Sequence, residues 1–373
     1  MKIILLSGAI KNSGDYLITE RTKRLLSYVY PEAEIIKIIG NYSVYNQLPE
    51  INSADIMVIA GGPSYTKKLY PRDIPLVDNL NDIKCKMFII GSGWYGNLTT
   101  DKEIYNYHFE QKSLELLKRI SNDSGALGCR DYYAVKVLQA NGFVNGLMTG
   151  CPAWYDIDKI SKRLRYRKEI NKIMVSDPAD VRAFGMQSID IVKFLKRTYP
   201  EAEIEYVFHR GIKKDDLTDE LTAKCISKIV NELESMNIRY HDISYGYEGF
   251  NLYNNCDLHI GHRVHAHIYN LSQRNRSILI EEDSRGAGVN EALGLWGIKA
   301  YEKKISSNAN IAIKAVNKAI PLTKTNRYVI NDINNYLNYL DESNSKIFDI
   351  AYGVMEHFFE EMIKHVSSIQ EIL

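Results

Sequence analysis

Short apolar runs recur along the first part of the chain, and each is followed by a segment with the periodicity of a helix. The runs cover residues 3–7, 34–39, 56–60, 86–90, 126–129 and 146–148. Short apolar runs bounded by glycine or serine are typical of strands that are buried on both faces. Because helical segments alternate with them, the pattern predicts a doubly wound, parallel α/β sheet.

The same pattern starts again in the second half of the chain. Apolar runs cover residues 172–176, 203–208, 239–243, 257–260 and 277–280. We therefore predict an N-terminal Rossmann-like domain (1–160), a linker over residues 151–167, a C-terminal Rossmann-like domain (168–320) and C-terminal helices (321–373). No strand is predicted after Ile320, and at least one of the last helices is expected to pack on the N-terminal domain.

Ligands of open parallel sheets bind beyond the carboxyl ends of the strands. Two such sheets that face each other in a GT-B-like arrangement would bring both sets of strand ends to one interdomain cleft. We therefore expect the active site in that cleft, and the residues directly after each strand are the candidates for chemistry.

Composition narrows the class of protein. The chain has 373 residues, 45% hydrophobic and 25% charged residues, and a net charge of +1, which favours a two-domain globular protein without affinity for nucleic acid. No apolar run reaches the ~18 residues of a membrane helix, and residues 1–8 predict a buried strand instead of a signal peptide. Five cysteines without a CxxC pair predict reduced thiols and a cytoplasmic location. A homo-oligomer is compatible with the sequence.

The turn after the first strand contains Asn12, Gly14 and Asp15, directly before a predicted helix. Glycine permits a tight turn, and a helix N-terminus attracts anions. The alternative interpretation is an ordinary turn in which Asp15 is the N-cap of the helix. The loop matches neither a Rossmann GxGxxG motif nor a Walker loop.

Three further strand ends carry candidate residues. Gly61 and Gly62 end the third predicted strand and Ser92 follows the fourth, so they line a cleft or form ordinary turns. Arg130 follows the strand at 126–129. Its guanidinium could bind a carboxylate or phosphate through two parallel hydrogen bonds, or it could pair with the neighbouring Asp131.

The most informative segment is 257–267, in which a short strand ends at Gly261 and a helix follows. His262, Arg263 and His265 are predicted in the first turn, near the positive end of the helix dipole. A cation beside an imidazole suits general acid–base chemistry on an anionic substrate. His262 is a further candidate to bind an anionic donor. His267 lies one turn further, and spacing alone does not show which of the three histidines reacts.

Two other interpretations of this segment remain open. His262 and His265 could share a metal ion, although no carboxylate or cysteine completes the set and HExxH is absent. Alternatively, the histidines are structural and Arg263 forms an ion pair. Neither a metal nor another cofactor is expected to be required.

Two more strand ends add polar side chains. His209 follows the strand at 203–208 and is a candidate to line the cleft. After the strand at 277–280, Asp283 or Ser284 is predicted to cap the next helix, and Arg285 is a candidate second cation for an anionic donor.

Several of these segments, in order, resemble the polysaccharide pyruvyl transferase family. The matching motifs are Asn12-Ser13-Gly14-Asp15, Gly61-Gly62, Cys129-Arg130-Asp131, Gly261-His262-Arg263-Val264-His265-Ala266-His267-Ile268 and Ile280-Glu281-Glu282-Asp283-Ser284-Arg285-Gly286. The resemblance implies a GT-B-like fold and transfer of pyruvate from phosphoenolpyruvate to two hydroxyls of a sugar, as a ketal.

The resemblance also implies roles for particular residues. Arg263 and His265 match the donor-binding arginine and the catalytic histidine of the family, and Arg130 matches a further donor contact. The acceptor would be a sugar or a lipid-linked glycan of a polysaccharide pathway. His262, His267 and Pro63 depart from the family pattern and leave the acceptor open.

Two other functions fit the same fold. The first alternative is a GT-B glycosyltransferase or a sugar-nucleotide epimerase, which would bind a nucleoside diphosphate sugar at the same strand ends. The second is a non-catalytic sugar- or phosphate-binding protein, because fold alone does not specify chemistry.

Overall fold

The computed structural model describes residues 1–163, 169–306, 309–319 and 322–373. Two compact units are present. Unit 1 comprises Met1–Ile10, Asp15–Asp158 and Met355–Leu373, and unit 2 comprises Lys11–Gly14 and Lys159–Val354. Residues 164–167 of the predicted linker lie outside the described residues, as does Ile320.

Unit 1 is built on parallel strands. They are β1 (Lys2–Ser7), β2 (Glu34–Ile39), β3 (Ile56–Ile59), β4 (Gly62–Tyr65), β5 (Lys86–Ile89), β6 (Ser92–Trp94), β7 (Leu127–Cys129) and β8 (Gly146–Met148). One sheet has the order β2-β1-β3-β5 and another the order β4-β6-β7-β8. The predicted strand positions agree with these bounds. The strands contain fully buried apolar side chains such as Ile4, Val58 and Phe88, as the apolar runs indicated.

The expectation that Gly62 and Ser92 lie in loops is wrong. Each begins a short strand of the second sheet, and the two residues are paired in register. The chain bends between the sheets at Gly62 (φ 115°) and Gly91 (φ 53°), conformations that favour glycine. A Cβ on Gly61 would lie 3.0 Å from the carbonyl oxygens of Ile90 and Gly91, so close backbone approach explains that glycine as well.

Unit 2 contains a sheet with the order β11-β10-β9-β12-β13-β14, in which every pair is parallel. Its strands are β9 (Lys172–Ser176), β10 (Glu203–Phe208), β11 (Arg239–Asp242), β12 (Leu258–Gly261), β13 (Arg276–Glu281) and β14 (Ile298–Lys299). Since β12 lies between β9 and β13, the carboxyl ends of these three strands are neighbours at one edge of the sheet.

A two-stranded antiparallel ladder of unit 2 was not predicted. It joins β15 (Tyr301–Lys303) to β16 (Lys324–Thr325). The expectation of no strand after Ile320 is therefore wrong, because a strand of two exposed residues leaves no hydrophobic pattern in the sequence.

The helices alternate with the strands. They are α1 (Ser13–Val29), α2 (Leu48–Asn52), α3 (Asp101–Tyr105), α4 (Gln111–Ser124), α5 (Tyr132–Ala140), α6 (Val181–Thr198), α7 (Glu220–Ser235), α8 (Val264–Ser272), α9 (Ser284–Leu293), α10 (Ile311–Ala319), α11 (Val329–Glu342), α12 (Lys346–Ser367) and α13 (Ile369–Ile372). Aspartate N-caps precede α5, α6, α7 and α9, where a carboxylate accepts a backbone N–H of the first turn. The α/β class with parallel sheets is confirmed.

The last part of α12 contributes to unit 1. His365 donates a hydrogen bond from Nε2 to the carbonyl oxygen of Ile89 (3.1 Å) and stacks on Phe88 with ring centroids 4.3 Å apart. Tyr30 donates its hydroxyl hydrogen to the carbonyl oxygen of Val366 (2.9 Å). Across the described ranges, no helix combines the length and the apolar character needed to cross a membrane.

Candidate active site

The junction between β12 and α8 carries the most informative segment. Gly261 ends β12, and its lack of a side chain matters because a Cβ there would lie 2.3 Å from Oγ of Ser176. The same Oγ accepts the backbone N–H of Arg263 (3.1 Å), which is the N-cap of α8. His262 therefore precedes the helix, and His265 is its second residue.

Arg263 is bound by a carboxylate that sequence analysis did not identify. Its Nε and Nη2 donate to Oδ1 and Oδ2 of Asp177, both at 2.7 Å, and Nη2 also donates to the carbonyl oxygen of Pro178 (3.2 Å). Burial alone would raise the pKa of Asp177, but Arg263 outweighs it and holds the pKa at about 2. Nε and Nη2 of Arg263, which could form two parallel hydrogen bonds to a substrate anion, thus already bind Asp177.

His209 supports the same carboxylate. Its Nδ1 lies 2.9 Å from Oδ1 of Asp177, and its Nε2 lies 3.2 Å from the hydroxyl of Tyr253. His209 is completely buried, and burial is the main cause that lowers its pKa. This placement differs from the predicted cleft-lining role, because both ring nitrogens contact buried groups of unit 2.

His262 is buried and neutral. Its ring stacks on Phe184, and Nε2 lies 3.1 Å from Oε1 of Gln187. Because the Gln187 amide nitrogen donates to the carbonyl oxygens of Ala300 and Asn326, its oxygen must accept the His262 proton. Burial lowers the pKa of His262 to about 3. The structure thus argues against the predicted role of His262 in binding an anionic donor.

His267 and His259 belong to a buried polar chain. Oγ of Ser277 lies 2.8 Å from Nδ1 of His267 and 2.7 Å from Nδ1 of His259, and Nε2 of His259 lies 2.9 Å from Oγ of Ser176. Burial lowers the pKa of His267 to about 3. These two histidines stabilise the interior of unit 2.

His265 differs from its neighbours. Within the fully described segment 259–267, it is the histidine that retains partial exposure, whereas His259, His262 and His267 are at most 2% exposed. Its ring lies against the backbone of Gly14, where a Cβ would be 1.9 Å from Nδ1. Close packing of an imidazole on a helix N-terminus therefore explains the glycine at position 14.

Unit 2 holds the segment 11–14 by several contacts. Nζ of Lys11 lies 2.6 Å from Oδ2 of Asp215, and the Ser13 backbone N–H donates to the carbonyl oxygen of His209 (3.0 Å). Because α1 begins at Ser13, Asp15 lies inside the first turn and is not the N-cap. Asn12 directly precedes the helix. The predicted turn thus lies close to His265.

Unit 1 contains the second candidate arginine. Arg130 follows β7 and is 1% exposed, and its Nε lies 3.2 Å from Oδ2 of Asp131. Asp131 also caps α5 by accepting the Ala134 N–H. Among the described residues, Nη2 of Arg130 has no hydrogen-bond partner. The guanidinium lies against Gly93, where a Cβ would be 2.2 Å from Nη2.

In the turn after β13, Asp283 and Arg285 form an ion pair with each other. Asp283 caps α9 through the Arg285 N–H (3.0 Å), and the Arg285 guanidinium binds both carboxylate oxygens of Asp283. Burial would raise the pKa of Asp283, but Arg285 lowers it. The prediction that Asp283 or Ser284 is the cap is thus resolved in favour of Asp283, and Arg285 neutralises that aspartate.

A family model for polysaccharide pyruvyl transferases matches residues 12–284, which include both arginines and the β12–α8 junction. The chain belongs to the polysaccharide pyruvyl transferase family. Membership of this family indicates a transferase. A search of curated proteins found no significant match in sequence.

Solved structures show the fold of this family member. A Listeria monocytogenes protein assigned as a UDP-N-acetylglucosamine 2-epimerase is similar, with a TM-score of 0.52 and 9% identity over 99% of this chain and 96% of that chain. Two others have lower scores. S. aureus MnaA with UDP has a TM-score of 0.46 and 11% identity over 92% of this chain and 97% of that chain. The wall teichoic acid polymerase TagF has a TM-score of 0.47 and 12% identity over 100% of this chain and 89% of that chain. Similarity to the Listeria monocytogenes protein confirms the predicted GT-B-like α/β fold.

Asp177 is the main residue that sequence analysis missed in this pyruvyl transferase family member. The signal was an aspartate directly after a buried strand, followed by proline. Its partner Arg263 is 86 positions away, so the pairing depends on the adjacency of β9 and β12. The described residues contain no group of three or more His, Cys, Asp or Glu that could hold a metal ion.

Proposed function

We propose that this family member transfers the pyruvyl group of phosphoenolpyruvate to a sugar. Two sugar hydroxyl oxygens bond to C2 of the donor, its methylene carbon gains a proton, and the bond from C2 to the phosphate oxygen breaks. The products are a pyruvate ketal and inorganic phosphate. The observation that carries the proposal is the β12–α8 junction, where Arg263 occupies the N-cap position of the helix whose second residue is the partly exposed His265.

The donor carries a carboxylate and a phosphate, so its site needs cationic groups and N–H donors. The N-terminus of α8 supplies the positive end of a helix dipole. Arg263 is held in one orientation by Asp177, and its Nη1 is the nitrogen left for a donor oxygen. In unit 1, we propose that Nη2 of Arg130 binds an anionic group of a substrate.

His265 is proposed as the general acid or base. Ketal formation requires a proton at the methylene carbon of the donor and removal of protons from the attacking hydroxyls. His265 is the candidate among the three because it is partly exposed as a residue, whereas His262 and His267 are buried. Nε2 of His265 is buried in this structure, so proton exchange with a substrate requires the ring to turn.

The acceptor is proposed to be a sugar of a polysaccharide or a lipid-linked glycan precursor. Gly14, against which the His265 ring packs, is one acceptor candidate, and Asn12, Asp15, Gly61, Gly62, Ser92 and Asp283 remain further candidates. Cys85, Cys129, Cys151, Cys225 and Cys256 are all free thiols. Free thiols suit a reducing compartment, so we propose that the reaction takes place in the cytoplasm.

The test is phosphate release from phosphoenolpyruvate in the presence of galactose-, mannose- and glucosamine-type acceptors. The proposal expects release that depends on one acceptor class and a product heavier by one pyruvate ketal in mass spectrometry. A parallel assay offers UDP- and GDP-sugars without phosphoenolpyruvate. Turnover in the second assay alone would assign a glycosyltransferase or epimerase, and ligand binding without turnover in either would assign a binding protein.

A further inference from the structure

Glu282, directly after β13, is a buried carboxylate with no role in the chemistry proposed above. It is 5% exposed. Its Oε1 accepts the backbone N–H of Ala179 (2.7 Å), and its Oε2 accepts the backbone N–H of Asp180 (2.9 Å). Both carboxylate oxygens are therefore used to hold the segment that enters α6.

That segment, the 177–180 turn, is the one that orients Arg263. Asp177 at its start binds Nε and Nη2 of Arg263, and the carbonyl oxygen of Pro178 accepts a further hydrogen bond from Nη2. Because β9 and β13 flank β12, Arg263 and Glu282 approach the 177–180 turn from adjacent strand ends. Arg263 binds the first half of the turn and Glu282 binds the second half.

The charges around Glu282 are mixed. Burial is the main cause that raises its pKa to about 7; Asp283 adds to this rise, whereas the N–H of Asp180 and the guanidiniums of Arg263 and Arg285 oppose it. Lys304 donates from Nζ to the Glu282 carbonyl oxygen. Burial is the main cause that raises the pKa of Tyr206, and Glu282 adds to this rise. Protonation, which leaves the carboxyl group of Glu282 one strong acceptor instead of two, is therefore shifted to higher pH than for an ordinary glutamate.

We propose that Glu282 is a positioning residue for the donor site. Its two oxygens fix the 177–180 turn, and through Asp177 they fix the orientation of Arg263. The expected change in KM for phosphoenolpyruvate rests on the proposed function. The expected change in the orientation of Arg263 does not depend on any reaction.

The first experiment compares Glu282→Gln with Glu281→Gln. Glutamine at 282 keeps one acceptor and places an NH₂ group against a backbone N–H, so the 177–180 turn loses a hydrogen bond. Glu281 is equally buried but accepts from Asn290 instead of from the turn, which makes it a matched control. We expect KM for phosphoenolpyruvate to rise about tenfold in Glu282→Gln, consistent with loss of a hydrogen bond to a charged group, with a smaller change in kcat.

The pH profile separates positioning from general destabilisation. In the wild type, kcat/KM for phosphoenolpyruvate should contain an ionisation near pH 7 that is absent from Glu282→Gln and retained in Glu281→Gln. If the two variants have the same profile and the same KM, Glu282 does not position the donor site.

A second readout needs no turnover. The Nε–H resonance of Arg263, identified by its loss in Arg263→Lys, reports how firmly Asp177 holds the guanidinium. Its protection from solvent exchange should fall about tenfold in Glu282→Gln and remain unchanged in Glu281→Gln. In the wild type, protection should fall as the pH drops through about 7. This measurement does not depend on whether a variant folds.

The outcomes distinguish the two proposals. Reduced Arg263 protection without any phosphoenolpyruvate turnover in the wild type would support the role of Glu282 and contradict the proposed function. Unchanged protection in Glu282→Gln would overturn the role of Glu282 whatever the activity.

Discussion

Two buried arginines, Arg263 in unit 2 and Arg130 in unit 1, differ in how their charge is balanced. Arg263 makes two hydrogen bonds of 2.7 Å to Asp177, whereas Arg130 makes a single contact of 3.2 Å to Asp131. The pKa of Asp177 is held at about 2, but burial dominates at Asp131 and raises its pKa. The difference indicates that Arg263 is fixed by the protein, while Nη2 of Arg130 has no hydrogen-bond partner among the described residues.

The largest expected effect on stability comes from the carboxylates. Asp177→Asn should lower the free energy of unfolding by about 3–5 kcal/mol, because it leaves Arg263 buried without a counter-charge. Asp131→Asn should cost less, because Asp131 makes only one contact of 3.2 Å with Arg130, burial already disfavours its charged form, and the amide oxygen can still cap α5. Urea denaturation of both variants measures the difference, and equal losses would contradict the distinction between the two arginines.

Substitution of the two arginines should affect substrate binding and protein stability to different extents. Arg130→Lys should weaken binding of a substrate anion by about 1.5–3 kcal/mol, the range for a hydrogen bond between charged groups, with less loss of stability than Arg263→Lys. Lysine cannot reproduce the paired hydrogen bonds of Arg263 to Asp177. KM for each substrate and urea midpoints test this, and unchanged KM values in Arg130→Lys would remove Arg130 from the substrate site.

Acid should destabilise both units through their buried histidines. The pKa values of His262 and His267 are about 3 in the folded protein and that of His365 is about 4, against about 6.5 when unfolded. Below pH 6.5 the unfolded chain binds protons that the folded chain does not, so stability falls by about 1.4 kcal/mol per pH unit for each histidine. Glu282, with a raised pKa, partly offsets this fall between pH 7 and 4.5.

The measurement is the free energy of unfolding in urea at pH 7, 6 and 5. His365→Leu removes one of these histidines from unit 1 and should reduce the slope against pH by one proton. An unchanged slope in that variant would show that His365 titrates alike in both states.

Gly14→Ala should lower the free energy of unfolding by about 1–3 kcal/mol, the usual cost of overpacking, because the added Cβ would lie 1.9 Å from Nδ1 and 2.3 Å from Cγ of His265. Because the added methyl group overlaps that ring, turnover should fall by up to about 10²-fold, as expected for a misplaced reacting group. Gly353→Ala is the control, since no atom lies near its Cβ position. Equal kinetics in the two variants would contradict the packing of His265 on Gly14.

The sequence predicted the α/β class, most strands of both units and the β12–α8 junction, because buried parallel strands leave continuous apolar runs. It could not predict which histidine is exposed, since His262, His265 and His267 differ only in the residues that pack around them. Asp177 and Glu282 were missed for the same reason. Their partners lie far along the chain and meet them only through the order of β9, β12 and β13.

The contrast between the partly exposed His265 and the buried His262 and His267 leads to the most direct test of the proposed chemistry. Phosphate release from phosphoenolpyruvate should be measured for His265→Ala, His262→Asn and His267→Asn, with exposed His108→Ala as the control. The account predicts that His265→Ala lowers turnover by ~10²–10⁴-fold, the usual contribution of a general acid–base group, while donor binding is largely retained. Near-normal turnover in His265→Ala would contradict it, and a loss confined to His262→Asn or His267→Asn would transfer the role to that histidine.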